Sequence, residues 1–309
     1  LFKSYRTDMK TELRGTGVAM VTPFNKDKSI DYKGLANLIE YLIDGGVEFL
    51  VSMGTTGESA VLSTEEKLEV VAFSKDKING RLPFVVGIGG NNTAAVVAQI
   101  KATDFTGVDA ILSVSPAYNK PTQEGIYQHF KAISDACPVD IILYNVPGRT
   151  SSNMSAETTL RLANDFTNIV SVKEASGDME QIMQILRDKP SGFKVLSGDD
   201  ALTLPMVLMG AEGVISVQAM AQPKEFSEMV RQGLKGDLEK SRALHYPQLE
   251  IIDNLFAEGA LIAARWIIGK KPAGVKACLK IKGVCDDYVR LPLVAISSER
   301  YQKLESLLK

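Results

Sequence analysis

Eight short runs of β-forming, largely apolar residues recur along the first two-thirds of this 309-residue chain. They span residues 17–24, 48–54, 83–90, 110–116, 140–147, 169–176, 194–200 and 213–219. The stretches between them carry apolar residues at helical spacing, as at Tyr32, Leu35, Ile39 and Leu42. This alternation is typical of repeated β–α units, in which consecutive strands are parallel.

Most of the runs are continuously apolar, as expected of a parallel sheet whose outer face is covered. Eight units in series favour a closed α/β fold, the (β/α)₈ TIM barrel, over an open doubly wound sheet. Strand signals stop near residue 222, and helical patterns then cover 224–233, 237–258, 261–268, 274–282 and 297–308. We therefore predict an N-terminal arm or expression remnant at 1–14, a barrel at 15–233 and a C-terminal helical extension at 234–309. Because no linker separates the last two, they are expected to pack together.

Charge, cysteine content and hydropathy indicate which partners and which cellular compartment to expect. The formal net charge is −2 and the basic residues are scattered, so nothing favours binding to nucleic acid or an anionic membrane. Three cysteines without CxxC spacing, Cys137, Cys278 and Cys285, suit a reducing cytoplasm. The apolar run at 49–53 is too short to span a bilayer, and the residues before the candidate start Met9 lack the apolar core of a signal peptide. We expect a cytoplasmic protein.

The two histidines, His129 and His245, fall in polar helical patterns and are expected at a surface or an interface. No group of His, Cys, Asp and Glu residues has the spacing of metal ligands. An active site in this chain would therefore use neither histidine nor metal.

Lys173 is the residue that most suggests chemistry. It lies near the carboxyl end of the sixth run, where an ammonium is costly to bury unless it is paired or loses its proton. A lysine whose pKa falls from about 10.4 towards about 7–8 supplies a neutral amine that forms Schiff bases. Taken alone, an ion-paired lysine or one that extends to solvent is the commoner case. Its neighbours favour the chemical interpretation.

Polar residues follow other strands at the same end of the predicted barrel, where active sites of this fold form. Together with the lysine amine they supply hydroxyls, phenols and a guanidinium, a set that suits carbonyl chemistry beside an anion. They are Thr55 and Thr56 after the second run, Tyr118 after the fourth, Tyr144 ending the fifth, Arg149 in the next loop and Gly198 after the seventh.

Each of these residues also has a purely structural interpretation. The threonines precede Glu58 and could form a helix N-cap, although the glycines and amides around them would equally hold a carboxylate. Tyr144 could be a core tyrosine, Tyr118 a loop aromatic and Arg149 part of a surface ion pair. The glycines of 87–90 suggest a dinucleotide loop only weakly, because the third glycine of that motif is absent.

Four segments occur in strand order: Gly54-Thr55-Thr56-Gly57-Glu58-Ser59, Tyr144-Asn145-Val146-Pro147-Gly148-Arg149-Thr150, Val172-Lys173-Glu174-Ala175-Ser176-Gly177-Asp178 and Leu196-Ser197-Gly198-Asp199-Asp200. Together they resemble the dihydrodipicolinate synthase family, pyruvate-dependent class I aldolases of the N-acetylneuraminate lyase superfamily. The resemblance runs from about Gly15 to the C-terminal end. The Tyr-Asn-x-Pro motif and the lysine are superfamily features, whereas Arg149 narrows the match to the synthases.

The resemblance implies an enzyme that condenses pyruvate with L-aspartate-4-semialdehyde on the pathway to lysine and diaminopimelate, as a homotetramer of tight dimers. It implies that Lys173 forms the Schiff base with pyruvate, without an external cofactor, and that Tyr144 shuttles protons and orients the imine. Thr55 would link Tyr144 to Tyr118 of a neighbouring subunit in a proton relay. The residues that bind substrate would be Thr56 for the pyruvate carboxylate, Arg149 for the carboxylate of the second substrate, and Gly198 and Ile215 for the pocket wall.

Two other functions stay open at this point. A sibling aldolase would join pyruvate to a sugar-derived aldehyde, but Arg149 suits a short anionic aldehyde better than a polyol. A non-catalytic binding protein on the same scaffold would have lost Lys173 or Tyr144, and both are present.

Residues 260–270 depart from the family pattern as an insertion that contains the chain's single tryptophan, Trp266. A large aromatic residue in an apolar helical turn is normally buried. We expect this segment to extend a helix or cover a subunit surface. All of the predicted site residues precede it in the sequence.

We predict weak or absent feedback inhibition by L-lysine. In inhibited relatives the effector binds at a dimer interface near the relay tyrosine, at positions that match Ser59, Ala60, Thr64, Lys67, Asn91, Ala95 and Ala117. Lys67 adds a positive charge, Ala95 lacks a carboxylate for the ligand's ammonium, and Ala117 lacks an aromatic wall. Like charges in a partly desolvated site cost several kcal/mol. A titration of initial rate against L-lysine tests this, and half-inhibition at sub-millimolar lysine would mean that the interface binds lysine through other contacts.

Overall fold

The computed structural model describes residues 12–256 and 271–309. Eight parallel strands each pair with the next, and the first pairs with the last, so the sheet closes into a barrel. The strands are β1 (Gly15–Ala19), β2 (Phe49–Ser52), β3 (Phe84–Gly87), β4 (Ala110–Val114), β5 (Asp140–Asn145), β6 (Ile169–Glu174), β7 (Lys194–Ser197) and β8 (Gly213–Ser216). The predicted (β/α)₈ barrel is confirmed. Most strands end before the predicted runs do, because the last residues of those runs enter the loops that carry the polar groups.

Helices surround the barrel and continue beyond it. They are α1 (Tyr32–Asp44), α2 (Thr64–Ile78), α3 (Thr93–Ala102), α4 (Gln123–Ala136), α5 (Pro147–Thr150), α6 (Ala156–Asp165), α7 (Met179–Asp188), α8 (Thr203–Leu208), α9 (Pro223–Leu234), α10 (Leu238–Phe256), α11 (Lys271–Ile281) and α12 (Ser298–Leu308). α10 packs against α9, and α11 and α12 pack against α10, so the C-terminal helices are continuous with the barrel. The predicted arm residues before position 12, with Met9, lie outside the described residues, and so do the predicted helix at 261–268 and the insertion at 260–270 with Trp266.

The core has two layers that follow the two faces of the strands. Inside the barrel lie side chains such as Phe49, Val85 and Leu196. Their sequence neighbours, such as Leu50, face outward and pack under the helices. Gly17 on β1 is required by the inner layer, because a Cβ there would lie 2.1 Å from the Phe49 ring.

Strand β6 departs from strict alternation. Between Ile169 and Ser171 its pairing with β5 advances by two residues on β6 and by only one on β5, which makes Val170 an extra residue. Ile169 faces the outer layer, so an uninterrupted strand would turn residue 173 outward as well. The shift instead places Lys173 opposite Tyr144, whose ring lies in the inner layer.

The prediction that both histidines lie at a surface or an interface is wrong. His129 is 3% exposed and His245 6% exposed within the single chain. His129 Nδ1 lies 2.8 Å from the Thr93 hydroxyl, and burial lowers the pKa of His129 to about 4. His245 Nδ1 lies 3.3 Å from the Met229 sulfur. Polar neighbours along each helix concealed the fact that these two positions face the body of the protein.

Over the described ranges 12–256 and 271–309, no group of three or more His, Cys, Asp and Glu residues is placed to hold a metal ion. Within the same ranges no helix has the length and apolar character needed to cross a membrane.

Candidate active site

Lys173 and Tyr144 form the centre of the candidate site. They are paired neighbours on β6 and β5, near the carboxyl ends of both strands, and are only 5% and 8% exposed. The Lys173 Nζ lies 4.6 Å from the centroid of the Tyr144 ring. The interior of the barrel thus holds an amine against the face of a phenol.

Burial raises the pKa of Tyr144 to about 12, and the charge of Arg149 acts in the opposite direction. The phenol is therefore protonated at neutral pH and can donate a hydrogen bond or a proton to a bound oxygen. Arg149 itself lies exposed on α5, close enough for its charge to be felt at the phenol.

The next residues along these two strands, Asn145 and Glu174, turn to the opposite face and are fully buried. The Glu174 carboxylate accepts hydrogen bonds from Asn145 Nδ2 at 3.1 Å, the Ser176 backbone N–H at 2.7 Å and Gln181 Nε2 at 3.1 Å. Asn145 Oδ1 also accepts the Met154 backbone N–H at 3.0 Å. Burial raises the pKa of Glu174, while these donors act to lower it.

This network joins β5, β6 and α7 directly behind the two site residues. It holds the strand ends in register, and a buried polar network of this kind fixes one arrangement only when its members are satisfied. The sequence patterns indicated no role for Asn145 or Glu174. A signal was available, because each follows a site residue on a strand and must face the other way.

The threonine pair lies in a 3₁₀ turn, Thr55–Gly57, after β2. Thr56 is buried and Thr55 exposed. The backbone is left-handed at both ends of this loop, at Met53 (φ 57°) and Glu58 (φ 54°). The N-cap of the next helix, α2, is Ser63 in a capping box with Glu66, so the threonines are not that cap.

A cavity of about 160 Å³ extends from the ends of β2 to β5 to the helices α2 and α3, with Thr55 and Tyr144 among its lining residues and Lys173 outside that lining. Lys173 approaches Tyr144 from the side of β6 and β7. There Gly198 leaves room for it, because a Cβ on Gly198 would lie 3.1 Å from the Lys173 Cε and 2.6 Å from the Ala175 Cβ. Ile215 is buried in the same inner layer as Tyr144.

Tyr118 is the predicted site residue that the single chain does not bring to the others. Its side chain is 89% exposed, whereas Tyr144 is buried. Its backbone is left-handed (φ 71°), which is unusual for a bulky residue and is found where function holds a side chain in place. Its exposure leaves this phenol accessible to a second chain.

A family model described as the dihydrodipicolinate synthetase family matches residues 12–309. The chain is 52% identical to a 4-hydroxy-tetrahydrodipicolinate synthase of Flavobacterium psychrophilum, over 96% of this chain and 97% of that protein. Among solved structures it is similar to a dihydrodipicolinate synthase of Acinetobacter baumannii complexed with pyruvate (TM-score 0.86, 37% identity, 96% and 97% coverage). It is also similar to one of Cyanidioschyzon merolae with lysine bound (TM-score 0.88, 35% identity, 97% and 98% coverage).

We predict that Tyr144 stays protonated up to about pH 11. Its folded pKa of about 12 is above the value of about 10 of an unfolded chain. Folding therefore favours the neutral phenol, and this contribution to stability is complete below pH 10 and is lost as the pH rises through 12. The difference in absorbance near 295 nm between the wild type and Tyr144→Phe, titrated with base, isolates this phenol. A Tyr144 ionisation step at or below pH 10 would contradict the prediction.

Proposed function

The chain belongs to the dihydrodipicolinate synthetase family, and from this premise we propose that it acts as a 4-hydroxy-tetrahydrodipicolinate synthase. It condenses pyruvate with L-aspartate-4-semialdehyde, in the cytoplasm, on the route to lysine and diaminopimelate. The observation that carries the proposal is the amine of Lys173 held over the ring of Tyr144 in the barrel interior. Relatives of nearly the same length with this activity in their names support it.

Lys173 acts as the nucleophile. Its neutral amine attacks the ketone carbon of pyruvate, and the resulting carbinolamine loses water to form an imine. Loss of a methyl proton gives an enamine, whose carbon attacks the aldehyde carbon of the second substrate. The amino group of that substrate then adds to the imine carbon, and the ring closes as Lys173 leaves as a free amine.

Tyr144 supplies and recovers protons in these steps. With a pKa near 12 its phenol is a donor at neutral pH, so it can protonate the carbinolamine hydroxyl as this leaves as water. Thr55 lines the same cavity as Tyr144 and passes the proton on towards Tyr118 of the neighbouring subunit. Hydroxyl groups thereby take the part that histidine plays in other enzymes.

The two substrate carboxylates are bound by different segments of the chain. Thr56 and the backbone N–H groups at the start of the turn Thr55–Gly57 take the carboxylate of pyruvate, as such groups bind anions. Arg149 takes the carboxylate of the semialdehyde, and Gly198 and Ile215 shape the wall between them. The exposed guanidinium on α5 favours a short anionic aldehyde over the sugar-derived aldehyde of a sibling aldolase.

The active unit is a homotetramer of tight dimers, in which Tyr118 of one subunit completes the relay of its neighbour. The support for a shared site is the 89% exposure of Tyr118 together with the burial of Tyr144, whose phenol needs a route to solvent for its proton.

Treatment with pyruvate and borohydride should leave one reduced pyruvate on Lys173, found by peptide mass spectrometry. Lys173→Arg, which keeps the charge but removes the amine nucleophile, should carry none. The rate with pyruvate should be highest with L-aspartate-4-semialdehyde in a panel of aldehydes. An adduct on another lysine would overturn the Schiff-base assignment, and a preference for a polyol aldehyde would overturn the choice of substrate.

Mixed subunits test the shared relay. Combining Tyr118→Phe with Lys173→Ala subunits gives hybrid dimers with one complete site, so random exchange should restore about a quarter of wild-type activity. The control mixes Tyr144→Phe with Lys173→Ala subunits. One chain contributes both of these residues to a site, so no hybrid site is complete and no activity should be recovered. Equal behaviour of the two mixtures, with exchange demonstrated, would show that Tyr118 serves its own chain.

A further inference from the structure

A buried ion pair joins the threonine loop to the C-terminal extension. Lys276 on α11 and Glu58 at the end of the turn Thr55–Gly57 have side chains that are 0% and 1% exposed, and Lys276 Nζ lies 2.6 Å from Glu58 Oε1. The ammonium also donates to the Tyr288 carbonyl at 2.8 Å and lies 4.1 Å from the Phe24 ring centroid. Burial lowers the pKa of Lys276, while the Glu58 carboxylate acts to raise it.

Arg290 makes a second connection to the same loop. Its backbone N–H donates to Glu58 Oε2 at 3.1 Å, so both carboxylate oxygens are bound by the C-terminal extension. Its guanidinium donates to the Val61 carbonyl at 3.1 Å and binds Glu66 through two nitrogens, at 2.6 and 2.8 Å. The segment from Glu58 to Glu66 is therefore held from outside the barrel.

The residue that Lys276 and Arg290 bind also has an unusual backbone conformation. Glu58 has a left-handed backbone (φ 54°), which an unsupported loop would relax. Thr22 Oγ1 donates to the Gly57 carbonyl at 2.7 Å and holds the residue before it. The position of Thr55 and Thr56 at the mouth of the barrel thus depends on contacts that lie behind them.

We propose that Lys276, through Glu58, is a positioning residue that sets the threonine loop for pyruvate, so that the C-terminal extension controls the geometry of a site it does not enter. The inference rests on the proposed function, since it names the substrate that the loop receives. Well-packed apolar residues generally fill such a place with equal or greater stability, so the retained charges point to a requirement for one arrangement.

The decisive variant is Lys276→Met with Glu58→Gln, which removes both buried charges and keeps a carbonyl oxygen for the Arg290 N–H. Its melting temperature should be close to that of the wild type, although the loop loses its ion pair with α11. We expect the KM for pyruvate to rise about 10-fold and kcat to fall by up to about 100-fold, because a shift of about 1 Å in a catalytic group has effects of that size. The KM for the semialdehyde, which Arg149 binds on another loop, should change little.

Lys280→Met is the matched control. Lys280 lies on the same helix, 40% exposed, and pairs with Asp287 at 2.8 Å on the outside of the protein. Removing it also deletes a lysine ion pair of α11 but makes no change behind the threonine loop, so both KM values and kcat should match the wild type. Lys276→Gln with Glu58→Gln also removes both charges and leaves polar side chains able to donate to the Tyr288 carbonyl and to accept from the Arg290 N–H. It should raise the KM for pyruvate in the same direction and serves if the first double variant does not fold.

Hydrogen exchange provides a readout that does not need activity. The amides of residues 54–62 should exchange faster in the double variant than in the wild type and in Lys280→Met. Unchanged exchange there, wild-type kinetics with pyruvate, or an equal rise in both KM values would each overturn the positioning role. A wild-type protein that is inactive with pyruvate would instead overturn the proposed function. The exchange experiment would still show whether the Lys276–Glu58 ion pair holds the threonine loop in place.

Discussion

The register shift in β6 is the constraint on which the candidate site depends. One extra residue, Val170, changes the phase of the strand by one position between Ile169 and Ser171. After it, Lys173 faces the barrel interior beside Tyr144, and Glu174 faces the helices beside Asn145. Without the shift the two side chains would exchange faces, which would place a carboxylate in the interior and the amine under α7. A single irregularity in one strand thus decides which charged side chain faces the barrel interior.

Burial sets the cost of charge on the groups in and around the candidate site. A buried phenol ionises with difficulty, and the pKa of Tyr144 rises to about 12 for that reason. A buried carboxylate is costly as well, but Glu174 accepts three donors on its own side of the strand and Glu58 accepts two. Loss of one partner from a buried pair such as Glu58 and Lys276 costs about 3–5 kcal/mol, so the framework behind the site also contributes to the stability of the fold.

The fold and the strand-end residues could be predicted because both follow from local patterns. Continuous apolar runs separated by helical periodicity predict the barrel, and polar residues that follow those runs must meet at one face. The shift in β6 could not be predicted, because 169–172 has no alternation that would reveal a change of phase. Neither could the contact of Glu58 with Lys276, which are 218 residues apart and whose pairing depends on how α11 packs. The burial of His129 was missed because the polarity of a helix segment does not say which of its faces is covered.

The two glutamates of the candidate site follow one physical rule. Each stands just after residues proposed to meet the substrate, Glu58 after the threonines and Glu174 after the lysine. Each is turned away from them and accepts hydrogen bonds from other elements, Glu58 from the C-terminal extension and Glu174 from β5 and α7. The two substrates of the proposed reaction are both carboxylates, so an acidic side chain that faced the cavity would repel them. Directed outward, the same charges attract donors from α7 and from the C-terminal extension, which hold the loops in place. Fixing the loops and excluding negative charge from the cavity are therefore two effects of one arrangement. If either glutamate faced the cavity instead, both effects would be lost.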